Sequence, residues 1–61
     1  MLENNTYDRG SYLGIEMEVK TENLSRVLAN LKANPDVFAV RLGFYSEIND
    51  TVMVHFGSKK H

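Results

Sequence analysis

"YLGIEMEVKTENLSRVLANL", residues 12–31, changes its hydrophobic period halfway along. In the first half Leu13, Ile15, Met17 and Val19 alternate with Tyr12, Gly14, Glu16 and Glu18. A period of two predicts a strand with one buried face. In the second half Leu24, Val27, Leu28 and Leu31 fall at i, i+3, i+4 and i+7. That spacing predicts a helix with one apolar stripe. Thr21 is placed to cap the helix start. Glu22 and Lys32 suit the two ends of the helix dipole, and Glu22 with Arg26 makes an i, i+4 pair. Pro35 disfavours helical geometry at Asn34 and should end the helix there.

Two more apolar runs follow. "VFAVRLGFY", residues 37–45, places Phe38, Val40, Leu42 and Phe44 on one face under strict alternation, with Val37, Ala39, Arg41, Gly43 and Tyr45 on the other. "TVMVHF", residues 51–56, places Val52, Val54 and Phe56 opposite Met53 and His55. "SEIND" between them carries turn residues, so the two runs read as a hairpin. Its expected pairs are Leu42 with Val54, Arg41 with His55, and Gly43 with Met53. The order is β-α-β-β, an α+β class with a three-stranded sheet and one helix on one face. A right-handed crossover joins the first two strands. The third strand is expected in the middle, giving the order 1-3-2. Residues 11–57 form the single domain, residues 1–10 a flexible polar tail and residues 58–61 a short C-terminal tail. "YLGIEMEV" is then an outer strand open to pairing with a second chain.

Size and composition narrow the function classes. The chain has 61 residues, no cysteine, two histidines and a formal net charge of −1. Domains this small are marginal alone and are commonly stabilised by disulfides, a metal or a partner chain. Without cysteine the partner chain remains, and a homodimer is expected. No metal or other cofactor is expected. No apolar run approaches the ~20 residues of a membrane span. The segment "MLENNTYDRG" has neither the basic start nor the apolar core of a signal peptide. A cytoplasmic protein is the expectation.

Alternation sends Arg41 and His55 away from the helix, together with Tyr12, Glu16, Tyr45 and Met53. A solvated sheet face explains an arginine in an apolar run without any function. The company it keeps argues for more, because tyrosine, methionine and arginine are the types enriched at protein interfaces. Tyr12, Glu16, Arg41, Tyr45, Met53 and His55 are therefore the candidate partner-binding residues. Catalysis is disfavoured, since neither an activated nucleophile nor a glycine-rich loop accompanies His55. A nucleic-acid platform ranks below a protein site, because Glu16 and Glu18 repel phosphate.

The stretch "NLSRVLANLKANPDVFAVRLGFYSEINDTVMVHF", with its "NPDVFAV" step from helix to strand, resembles the helix-strand-strand part of ferredoxin-like regulatory domains. ACT-type domains and the ligand-binding domain of the Lrp/AsnC regulators are similar in this pattern. The resemblance implies half of a ferredoxin-like fold and pairing of sheets between subunits. It carries over no ligand residue. The sequence reading is thus a small non-enzymatic module that regulates or inhibits a protein partner through its open sheet face or edge. Phage-encoded inhibitors of host enzymes are comparable in size. An oligomeric ACT-like sensor of small molecules is the alternative.

Overall fold

The turn at residues 9–11 converts the expected tail into a strand. Asp8 accepts the Gly10 backbone N–H at 2.9 Å, and the Arg9 N–H donates to the Tyr12 carbonyl at 2.9 Å. Gly10 takes φ +83°, a left-handed conformation that glycine adopts without a Cβ penalty. The computed structural model describes residues 4–60. In chain order it contains β1 (Asn4–Asp8), β2 (Tyr12–Lys20), a 3-10 turn (Thr21–Asn23), α1 (Leu24–Ala33), β3 (Val37–Ser46) and β4 (Thr51–Lys59).

The sheet has four strands in the order β1-β2-β4-β3, and every neighbouring pair is antiparallel. This corrects the expectation of a three-stranded sheet in the order 1-3-2: the expected strands are β2, β3 and β4, and a fourth strand pairs on the outer side of β2. The missing strand is β1. Its positions opposite Met17, Ile15 and Leu13 are Asn4, Thr6 and Asp8, so it shows no apolar period two. Backbone pairing and the Asp8–Gly10 turn hold it rather than a buried stripe. Lys60 adds a tie across the sheet end, with its Nζ 2.6 Å from Asp8 Oδ1. The first three residues of the expected N-terminal tail and residue 61 lie outside the described residues. The expected C-terminal tail begins inside β4, which runs to Lys59. A second correction follows. Residues 13–17 are paired on both sides, by β1 and by β4, so this strand is not an edge of the sheet. The edges are β1 and β3.

Met17, Val19 and Val54 form the buried core. Leu24, Val27, Leu28 and Leu31 from α1 pack on it, as the sequence spacing predicts, together with Ile15, Val40 and Phe56. The helix starts differently from expectation. Thr21 lies in the 3-10 turn, α1 begins at Leu24, and neither start has a side-chain cap. The Thr21 N–H instead donates to the Asp50 carbonyl at 3.0 Å, tying the turn to the β3–β4 hairpin. Arg26 Nη2 donates to Asn23 Oδ1 at 2.9 Å, not to Glu22. At the far end Asn34 is extended (φ −86°, ψ 116°), as a residue before proline should be.

β3 does not alternate strictly. Arg41 does lie opposite His55, and Leu42 opposite Val54. Register shifts occur on either side, between Phe38 and Arg41 and between Leu42 and Tyr45. Each bulge inserts one residue and reverses the face of everything beyond it. Ala39, at φ +54°, belongs to the first. Phe38 is therefore opposite Gly57 on the outer face, and Tyr45 opposite Val52 on the helix side. Gly43 and Met53 do not pair directly, because Gly43 falls within the second shift. Leu42 and Phe44 in β3 and Ile48 in the turn after it are 54%, 78% and 97% exposed.

Candidate functional site

On the face opposite α1, one register row crosses the whole sheet: Asn5, Glu16, His55 and Arg41, one from each strand. Its centre is a polar brace. The Tyr7 hydroxyl donates to Glu16 Oε1 at 2.9 Å, and His55 Nδ1 lies 3.1 Å from Glu16 Oε2. The imidazole reaches over β3, where only the absence of a Cβ at Gly43 leaves it room. The Glu16 carboxylate, beside the Tyr7 hydroxyl and bonded to it, holds the phenol pKa above its ordinary value of 10.0. Farther along the same face Thr51 donates to Glu18 Oε1 at 2.6 Å.

Toward the β1–β2 turn the outer face dips into a groove of about 320 Å³. Its floor exists because Gly14 and Gly57 lie directly opposite each other on the two central strands. The Phe38 ring fills the space above Gly57, and a Cβ there would come within 2.5 Å of its Cζ. Phe38 meets Tyr12 edge-to-face, with ring centroids 5.2 Å apart and planes at 75°. Tyr7 stands on the other side, with the Arg9 guanidinium 5.7 Å from its ring centroid. Gly14 is left open, its nearest neighbours to an added Cβ being Tyr7 atoms at 3.8 Å. Arg41 is exposed at the groove wall and pairs with no carboxylate among the described residues. Arg9 likewise has no ion-pair partner there, its contact being with the Tyr7 ring.

Of the six candidate residues, Tyr12, Glu16, Arg41 and His55 line this groove. Met53 lies on the same face, opposite Glu18, but outside the groove. Tyr45 is not with them. The second bulge turns it to the helix side, where its hydroxyl donates to Asp50 Oδ1 at 3.3 Å. Alternation missed Tyr7, Arg9, Gly14, Phe38 and Gly57. An isolated glycine inside an apolar strand marks a close approach to the backbone, so Gly14 was the available signal. Phe38 had none, because an alanine at φ +54° leaves no mark in sequence. No group of three histidine or acidic side chains that could hold a metal occurs among the described residues. No helix among them is long and apolar enough to cross a membrane. Comparison with protein-family models, curated proteins and solved structures gives no match for this chain.

Proposed function

We propose that this chain is a non-enzymatic, cytoplasmic binding module that regulates or blocks a protein partner docked on the outer face of its sheet. The observation that carries this reading is the groove itself: aromatic walls beside two guanidinium groups, Arg9 and Arg41, that lack carboxylate partners among the described residues. Arginine and tyrosine are side-chain types enriched among binding hot spots, and both border this uncovered groove. Both oxygens of Glu16 are already engaged, by Tyr7 and by His55, which suits a brace that shapes the surface rather than a free base. A cysteine-free chain suits a reducing compartment.

A dimer belongs to the same reading. Leu42 and Phe44 on the edge strand β3 and Ile48 in the turn after it are exposed apolar side chains, and a second copy would cover them. Light scattering at micromolar concentration should give the dimer mass; a monomer with a stable fold would remove this part.

The test of the docking face is affinity capture from the producing cell with tagged wild type, Arg41→Glu and Lys32→Glu. Lys32 is exposed on α1, away from the sheet's outer face. Arg41→Glu should lose more than about 2 kcal/mol of binding while circular dichroism stays unchanged. Lys32→Glu should keep the partner. Retention of the partner by Arg41→Glu would exclude the outer face.

A further inference from the structure

Three features of the groove specify chemistry. The open floor at Gly14 lies between the edge-to-face pair of Tyr12 and Phe38 and the ring of Tyr7. A planar group inserted there meets ring edges and faces, the geometry that aromatic pairs prefer. The volume of about 320 Å³ suits one aromatic side chain and its immediate neighbours, not an extended strand of stacked bases. Arg9 and Arg41 each offer a planar fork of donors with no carboxylate opposite among the described residues, in a chain of net charge −1. Such forks match carboxylates in bidentate geometry.

We propose that the groove receives one aromatic side chain of the partner, with acidic residues on either side of that ring binding Arg9 and Arg41. This rests on the docking face proposed above and names the chemistry of the partner's anchor. Single-stranded nucleic acid is the competing occupant, since it too combines rings with anions. It is disfavoured because the open floor at Gly14 offers a place for one ring, whereas single-strand binding stacks successive bases along a tracked backbone.

The test uses the full chain and defined probes. A fluorescent five-residue peptide carries one phenylalanine flanked on each side by two glutamates. Two controls replace the phenylalanine with leucine, or every glutamate with lysine. An oligothymidylate of about eight nucleotides serves as the nucleic-acid probe. The acidic aromatic peptide should bind saturably below about 1 mM, with the leucine control weaker by about tenfold and the lysine control inert. Arg41→Glu and Gly14→Val should each weaken it by about tenfold or more. Gly14→Val fills the floor at a strand position where an added Cβ meets only ordinary contacts. Should that variant melt early, Tyr12→Ala and Phe38→Ala remove a wall instead and should weaken binding equally.

No saturable binding by about 1 mM would overturn the proposal. So would equal affinity for the phenylalanine and leucine peptides, or full affinity in Gly14→Val. Tighter binding of the oligothymidylate, lost in the same variants, would make the groove a nucleic-acid site. The two levels of the reading separate cleanly. A captured partner lost by Arg41→Glu but kept by folded Gly14→Val would sink the aromatic anchor and leave the docking face standing.

Discussion

Gly14 and Gly57 face each other across the two central strands, yet replacing each with alanine should have different consequences. Either substitution gains roughly 0.5–1 kcal/mol, because glycine costs more backbone entropy in a strand. This gain is common to both and cancels in the comparison. At Gly14 the new Cβ meets Tyr7 at 3.8 Å and Arg9 Cγ at 3.9 Å, so nothing has to move. At Gly57 it would stand 2.5, 2.7 and 3.0 Å from three atoms of the Phe38 ring. Phe38 is 38% exposed and can swing outward, but it then forfeits its contact with Tyr12. That contact is worth about 0.5–1.5 kcal/mol. A ring that stays in place suffers overpacking of about 1–3 kcal/mol instead. Gly57→Ala should therefore be less stable than Gly14→Ala by roughly 0.5–3 kcal/mol, several degrees of Tm in a domain this small. Urea denaturation followed by circular dichroism measures the difference. Repeating both substitutions in a Phe38→Ala background should abolish it. Equal stabilities with Phe38 present would show that the ring does not lie over Gly57, and the groove wall would be wrong.

Other outcomes follow from the same contacts. Leu28→Ala removes a half-buried side chain from the only face α1 buries, and should cost about 2 kcal/mol in urea denaturation; Ala29→Ser, exposed on the helix, should cost little. The Tyr7 phenol should titrate above its ordinary value of 10.0 and fall back toward it in Glu16→Gln, as read by carbon NMR of the tyrosine rings. The sign is that of an acid whose folded pKa is raised. Its contribution is complete below the unfolded pKa and is lost as pH rises through the folded one. Asp8 behaves oppositely. The Lys60 ammonium and then the Gly10 N–H lower its pKa below 3.8, so its contribution is present above that value and lost as pH falls through the folded pKa. Lys60→Ala should raise the Asp8 pKa in an NMR titration.

How much of this was legible depends on whether burial or backbone geometry decided each element. Burial wrote β2, α1 and β4 into the chain as period two, period 3.6 and period two again. The opposition of Arg41 and His55 followed from the same pattern, because each sits next in sequence to a member of the opposed pair Leu42 and Val54 on the other face. β1 was illegible because its helix-side positions carry Asn4, Thr6 and Asp8 and so give no alternation. The "DRGS" turn was the available clue, with an aspartate placed to accept the N–H two residues on. The bulges in β3 were illegible for a different reason. A bulge is a backbone event, and Ala39 takes it up without the glycine that commonly marks one. Two such events exchanged Phe38 and Tyr45 between faces. Most of the groove followed from that exchange and from the two facing glycines, which alternation alone treats as featureless.

The measurement that tests the docking face most directly is nitrogen-15 chemical-shift mapping of the labelled chain against its captured partner. The backbone signals of Gly14, Arg41, His55 and Gly57, which share the outer face, should move or broaden together, while those of Leu24–Ala33 in α1 stay in place. Changes confined to α1, or to the exposed residues Phe44 and Ile48, would place the partner elsewhere and contradict the account.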